Sequence, residues 1–319
     1  MKTAFLFPGQ GAQTVGMGKD FADAFPASAL LFEKANRVVG YDLRNICFNG
    51  PEEKLNSTTV SQPAVFVTSA VILDRLRSDH ATSDIIPDVT AGLSMGEYTA
   101  LYAAGAVSFQ DALVLVQKRG NAMQAAAETP KGSMVSIIGL DEEKVNQLCL
   151  QAVVQHGILM PVNFNCPGQI VISGDIDSCR IAADLAPQFG AVKAVLLKVA
   201  GAFHTDLMTP AANILKNALD NAEITLPSDV KIIANIDADY YNGPQYIRQG
   251  LIKQLTQPIL WQKCMEKLLA DGVEIFYEIG PARVLTGLMK RIDRKINVIN
   301  ISNVKLIDAL KAKASVETK

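Results

Sequence analysis

The sequence predicts an α/β fold with a second, smaller block inserted in it. Three observations lead there. Short apolar runs alternate with helical patterns at both ends of the chain, as a parallel sheet sandwiched by helices requires. Between about residues 131 and 199 the order changes to β-α-β-β-α-β, the ferredoxin-like signature. The 319 residues are 49% hydrophobic and 19% charged, enough apolar material for a large core and too much for a disordered chain. The expected organisation is a discontinuous large domain, 1–130 with 200–319, and an inserted ferredoxin-like subdomain at 131–199.

Residues 3–7 form an apolar run stopped by Pro8-Gly9-Gln10-Gly11-Ala12-Gln13, a strand entering a Gly-rich turn. Such turns collect at the ligand-binding edge of α/β sheets. Neither dinucleotide nor P-loop glycine spacing is present, so the side chains of Gln10 and Gln13 are the polar groups to watch. Helical periodicity follows at 27–39, near 51–55 and at 61–77, the last with Ser61 as N-cap and Pro63 in the first turn. A helix is expected from Ser108 to about Thr129, with Arg119 on it; taken alone, that arginine reads as a surface residue. Within the inserted block, strands are expected at 133–140, 160–165, 169–173 and 192–199, and helices at 141–154 and 177–189. Beyond it, a turn at Gly201-Ala202-Phe203-His204 enters a helix to about residue 222. Strands at 231–235 and 273–279 then alternate with helices at 246–255, 261–271 and 284–291. Residues 311–319 are polar and read as a loose end.

The chemistry centres on Gly92-Leu93-Ser94-Met95-Gly96. A β-rich run precedes it and a helix follows, the context of a G-x-S-x-G nucleophile elbow. The helix N-terminus offers N–H groups and a positive dipole end to a developing oxyanion. A serine nucleophile needs a base, and the chain has three histidines. His80 falls in a polar loop and His156 at a helix end, where the dipole alone favours it. His204 follows an apolar run and a glycine turn, where catalytic groups collect, and is the expected base. Asp206 is too close in sequence to orient it, so an amide oxygen is the alternative, giving a Ser-His dyad. The expected oxyanion donors are the N–H of Met95 and one from the Gly9-Gln10-Gly11 loop.

Several function classes are excluded. A formal charge of −2 gives no general affinity for nucleic acid or anionic membrane. No apolar run approaches the length of a membrane-spanning helix, and the N-terminal run is too short for a secretory signal. Five scattered cysteines without a C-x-x-C fit buried thiols in a reducing compartment better than disulfides or a zinc site.

Taken together, Phe7-Pro8-Gly9-Gln10-Gly11-Ala12-Gln13, Gly92-Leu93-Ser94-Met95-Gly96-Glu97-Tyr98, Gln117-Lys118-Arg119-Gly120 with Met123, Asn163 and Asn165 before Pro167-Gly168-Gln169, Gly201-Ala202-Phe203-His204, Gln254-Leu255 before Pro258 and Trp261, and Glu278-Ile279-Gly280-Pro281 resemble the malonyl-CoA:acyl-carrier-protein transacylases. They occur in that family's order and span the chain from residue 4 to about 300. The resemblance implies an α/β-hydrolase-like large domain with a ferredoxin-like insertion. It implies that Ser94 forms a malonyl ester and that His204 serves as base and acid. Arg119 would pair with the malonyl carboxylate, for which a planar guanidinium is suited. The N–H groups of Gln10 and Met95 would form the oxyanion hole, and the main chain near Gln254 would orient His204. Phe203 would crowd the acyl α-carbon and disfavour methylmalonyl, with Asn163 and Gln62 lining the pocket.

One position departs from the family's commonest elbow, which has histidine where this chain has Leu93. The leucine and the following Glu-Tyr-Thr-Ala-Leu resemble plastid-type and some bacterial members. The expected compartment is therefore the cytoplasm, or the plastid stroma for the mature part of an imported protein. The implied reaction uses no metal and no organic cofactor, with malonyl-CoA and phosphopantetheine as substrates. The implied partner is an acyl carrier protein; charge and hydropathy point to no nucleic acid and no membrane, and a monomer is one expectation for an oligomeric state that the sequence leaves open. Because that carrier is acidic, Lys193, Lys198, Arg283, Lys290 and Arg291 are candidates for a basic rim. The alternatives are the same transfer in a polyketide pathway, a serine esterase or thioesterase, and a non-catalytic carrier-binding scaffold.

Overall fold

The computed structural model describes residues 1–128 and 131–317. It is a mixed α/β structure with one parallel and one antiparallel sheet. The chain divides into two compact units. The first comprises Met1–Gln117, Ala222–Ile233 and Leu268–Lys319, and the second Lys118–Asn221 with Ala234–Lys267.

The strands in chain order are β1 (Lys2–Phe7), β2 (Val89–Gly92), β3 (Gly132–Ile138), β4 (Leu159–Cys166), β5 (Gln169–Asp175), β6 (Lys193–Leu196), β7 (Lys231–Ile232), β8 (Val273–Ile279) and β9 (Val298–Ile301). The first unit holds a five-stranded sheet in the order β7-β2-β1-β8-β9. Every pairing in it is parallel. Parallel strands need crossover connections, which the intervening helices supply. Central β1 and β2 are buried almost throughout, as strands covered on both faces must be. Chain order runs outward from β1 in both directions, which makes its carboxyl end a switch point where α/β sheets bind ligands. Phe7 lies opposite Gly92, so the Pro8–Gln10 turn and the Leu93–Met95 turn leave the sheet side by side.

The second unit holds a four-stranded antiparallel sheet in the order β4-β5-β3-β6. The helices Glu142–Ala152 and Ile176–Leu185 contribute Val145, Leu148, Cys149, Cys179 and Ala182 to a core shared with Val135, Ile137, Ile170 and Ile172. Asp141 and Asp175 cap these helices, accepting from the Lys144 and Ser178 N–H groups. All five cysteines are buried and none is in a disulfide. Burial pushes the Cys47, Cys149 and Cys179 thiols up to about 12, which keeps them protonated and inert. Among the described residues, no helix is long and apolar enough to cross a membrane.

Several element bounds differ from the sequence expectation, each for a local reason. The helix expected at 61–77 spans Thr58–Ser78, with Ser57 at its N-cap and Pro63 inside it. Pro63 has no N–H for the Thr59 carbonyl; the Tyr41 hydroxyl donates to that carbonyl instead, at 3.4 Å. The helix expected at 177–189 ends at Leu185 and tightens into a 3₁₀ turn, Ala186–Phe189, where Pro187 lacks an N–H. The strand expected at 231–235 stops at Ile232; the Ala234 N–H turns away to the Asp239 carbonyl at 2.9 Å. The strand at 192–199 is shorter, Lys193–Leu196.

Three elements escape the sequence reading: the helices Leu43–Asn49 and Val304–Glu317, and β9. Asn300 interrupts the apolar run of β9, yet it is buried, donating to Glu278 Oε2 at 3.3 Å and to the Ala282 carbonyl at 2.8 Å. The end expected to be loose is helical to Glu317, with Lys311 bound to Asp79 at 2.6 Å. Thr129, at the expected end of the helix Phe109–Ala126, and Thr318 and Lys319 lie outside the described residues.

Candidate active site

In the first unit, Ser94 follows β2 at φ 51°, in the left-handed region that a non-glycine residue occupies only when its surroundings enforce it. The enforcement is steric. The elbow packs so tightly on the end of β1 that a Cβ on Gly96 would lie 2.2 Å from the Phe7 carbonyl oxygen. A Cβ on Gly9 would lie 2.4 Å from the Leu93 oxygen. The Leu93 N–H donates to Phe7 O at 3.0 Å and closes the turn. Met95, fully buried, stands at the N-cap of the helix Gly96–Ala104, where N–H groups and the helix dipole face outward.

The Gly-rich turn after β1 is braced by its own glutamine. Gln13 Oε1 accepts from the Gly11 N–H at 2.7 Å, and its Nε2 donates to Asn56 at 2.9 Å. Gln10 Nε2 donates to Thr58 Oγ1 at 3.5 Å. Of the two glutamines singled out in the sequence, Gln13 thus has a structural task. Gln62, on the helix Thr58–Ser78, is fully buried. Glu278 at the end of β8 accepts from the Leu285 and Thr286 N–H groups at 2.8 and 2.9 Å, and so caps the helix Val284–Ile292. The Glu278-Ile279-Gly280-Pro281 motif is therefore a scaffold beneath the first unit's ligand edge.

In the second unit, the Gly201–His204 turn packs on the end of the helix Phe109–Ala126. A Cβ on Gly201 would lie 2.4 Å from that of Ala127, so the close approach needs glycine. Thr205 Oγ1 closes the turn on the Ala202 carbonyl at 2.8 Å. His204, at φ 63°, is 3% exposed, whereas His80 and His156 are exposed. The His204 Nδ1–H donates to the Gln254 main-chain carbonyl at 2.6 Å. A carbonyl only accepts, so Nδ1 carries the proton and Nε2 is left as the basic nitrogen.

Arg119 is 1% exposed, not the surface residue that helix position alone suggests. Its Nη2 donates to Gln254 Oε1 at 3.0 Å. Burial, and then the Arg119 guanidinium, push the His204 imidazole down from 6.5 to about 3, against an upward pull from the Gln254 carbonyl. A neutral histidine with a fixed tautomer and a buried cation thus share one residue. That arrangement suits proton transfer beside a ligand carboxylate.

A family model described as acyl transferase domain matches residues 4–314. The malonyl CoA-acyl carrier protein transacylase of Bacillus subtilis (strain 168) is 42% identical over 307 residues, covering 96% of this chain and 95% of that one. The chain belongs to the malonyl CoA-acyl carrier protein transacylase family.

Solved structures of the transacylase family match nearly the full length of the chain. That of the malonyl CoA-acyl carrier protein transacylase from Coxiella burnetii superposes with a TM-score of 0.91 at 35% identity, covering 98% of each chain. A malonyl-transacylase solved in complex with its type II PKS acyl-carrier protein has a TM-score of 0.92 at 39% identity, covering 98% of this chain and 100% of that one.

The other residues that the family motifs single out are placed as follows. Phe203 is buried beside His204. Asn163 lies on β4, paired with Ile259, and its buried Oδ1 has no hydrogen-bond partner among the described residues. Lys193, Lys198, Arg283, Lys290 and Arg291 are all exposed. The sequence reading missed the side chain of Gln254, whose Oε1 reaches Arg119. No spacing rule signals a contact across 135 residues.

Proposed function

We propose that this chain transfers the malonyl group of malonyl-CoA to the phosphopantetheine thiol of an acyl carrier protein. The observation that carries the reading is the buried His204–Gln254–Arg119 cluster. It places a neutral, tautomer-fixed base beside a cation suited to a free carboxylate. Membership of the transacylase family supports the substrate class.

In the proposed mechanism, Ser94 Oγ attacks the thioester carbonyl as His204 Nε2 takes its proton. The oxyanion is held by the N–H groups of Met95 and Gln10. The tetrahedral intermediate collapses, and coenzyme A leaves as a thiol with the proton returned by His204, leaving malonyl-Ser94. The carrier thiol then gives its proton to His204 and attacks the ester, and Ser94 regains the proton as the malonyl thioester departs. Arg119 forms a bidentate pair with the acyl carboxylate. Phe203 limits substitution at the α-carbon, and Gln62 and Asn163 line the pocket. The cycle consumes neither metal nor organic cofactor.

The βαββαβ order and the β4-β5-β3-β6 arrangement support a ferredoxin-like subdomain at 131–199. The remainder would form an α/β-hydrolase-like domain around the parallel sheet. We take the working form to be a monomer in the cytoplasm, supplying extender units for fatty-acid synthesis. Incubation with malonyl-CoA and a holo acyl carrier protein tests the reading. The expected products are malonyl-carrier protein and free coenzyme A in equal amounts. Release of malonate without loading of the carrier would instead favour a thioesterase.

A further inference from the structure

We propose that the Gln254 side chain is a positioning residue for Arg119, so that one residue holds both the base and the carboxylate-binding group. The inference rests on the malonyl reading above and extends it.

Gln254 is fully buried and ends the helix Pro244–Lys253, with its N–H donating to the Gly250 carbonyl at 2.8 Å. Its main-chain oxygen accepts from His204 Nδ1–H at 2.6 Å, and its side-chain Oε1 accepts from Arg119 Nη2 at 3.0 Å. The chain beyond it is fixed as well: Ile259 N–H donates to Val162 O at 2.7 Å, and Phe164 N–H to Ile259 O at 2.9 Å. Gln254 is therefore held on both sides, and both groups it binds are set by a rigid segment.

The chemistry of the acceptor matters. An amide oxygen orients the guanidinium without neutralising it, so Arg119 keeps its full charge for an incoming carboxylate. A glutamate at this position would satisfy that charge internally. The same cation disfavours protonation of His204. A carboxylate seated on Arg119 offsets that effect and makes the imidazole a stronger base, whereas an uncharged acyl group does not. Gln254 thereby links recognition of the acyl charge to the readiness of the base.

The test compares full-length Gln254→Met and Gln254→Glu with wild type, using malonyl-CoA and acetyl-CoA as donors. Both variants retain the main-chain oxygen that holds His204. In Gln254→Met the expected result is a rise of about tenfold or more in KM for malonyl-CoA, with kcat falling no more than about threefold, from loss of one charge-assisted bond. Preference for malonyl over acetyl falls by the same factor. In Gln254→Glu, malonyl transfer falls about 100-fold or more relative to acetyl transfer, because the new carboxylate occupies Arg119. Wild-type KM and discrimination in Gln254→Met would overturn the proposal, as would an equal kcat loss for both donors at unchanged KM.

Should neither variant fold, the imidazole resonances of wild type decide, since three histidines are readily resolved. Malonate is expected to raise the titration midpoint of His204 and the uncharged acetamide to leave it in place; no difference between them overturns the linkage. Failure of wild type to transfer malonyl at all, read in the same assay, would defeat the functional reading itself and is distinct from these outcomes.

Discussion

Replacing His204 by Ala lowers acyl transfer by about 10²–10⁴-fold, the usual contribution of a positioned general base. No second histidine can take over, because His80 and His156 are exposed and lie elsewhere in the chain. Wild type should also show an unusual acid limb. His204 is held neutral down to about pH 3 by burial and by Arg119. The kcat/KM profile should therefore carry no histidine inflection near 6.5 and stay flat well below it. The stability consequence has a definite sign. Below its ordinary value of 6.5 the histidine of the unfolded chain binds a proton that the folded chain refuses until about pH 3. Its contribution to stability is thus complete above about pH 6.5 and is lost as the pH falls towards 3. Acid titration of the unfolding free energy should show a shallower slope in that window for His204→Ala, by one proton. An inflection of kcat/KM at 6.5 in wild type would contradict the buried, neutral base.

Replacing Arg119 by Ala lowers kcat/KM for malonyl-CoA by about 30-fold to several thousand-fold. The range corresponds to the roughly 2–5 kcal/mol lost when one partner of a buried, hydrogen-bonded charge pair is removed. The same change should raise transfer from acetyl-CoA. It removes a buried cation for which an acetyl group supplies no carboxylate, and it relieves the depression of His204. Arg119→Lys should fall in between, since an ammonium keeps the charge and loses the planar fork. The measurement is kcat/KM for both donors on each variant. An unchanged preference for malonyl in Arg119→Ala would remove this residue from substrate recognition.

Much of the framework was legible because its signals are local. The elbow glycines mark a turn whose close approach to Phe7 admits no side chain. The helices expected from 141 and 177 start within one residue of those positions, at Glu142 and Ile176, each behind an aspartate cap. The polar Asn300 hid β9, because its partners Glu278 and Ala282 are distant in sequence. Pro63 suggested a helix start three residues too late, since a tyrosine hydroxyl serves the carbonyl it leaves unpaired. The candidate site divides the same way. Ser94 and His204 sit on turns with their own glycine signatures. Arg119 looks like any helix-surface arginine until its burial is seen. The double role of Gln254 depends on a backbone oxygen and a side-chain oxygen of one residue, and no residue pattern encodes that.

The claim on which everything else rests is that Ser94 carries the acyl group. Intact-mass analysis of the protein after brief incubation with malonyl-CoA, without carrier protein, tests it directly. Wild type should gain the mass of one malonyl group, peptide mapping should place it on Ser94, and Ser94→Ala should gain nothing. An unmodified wild type, or an adduct that persists in Ser94→Ala, would contradict the account.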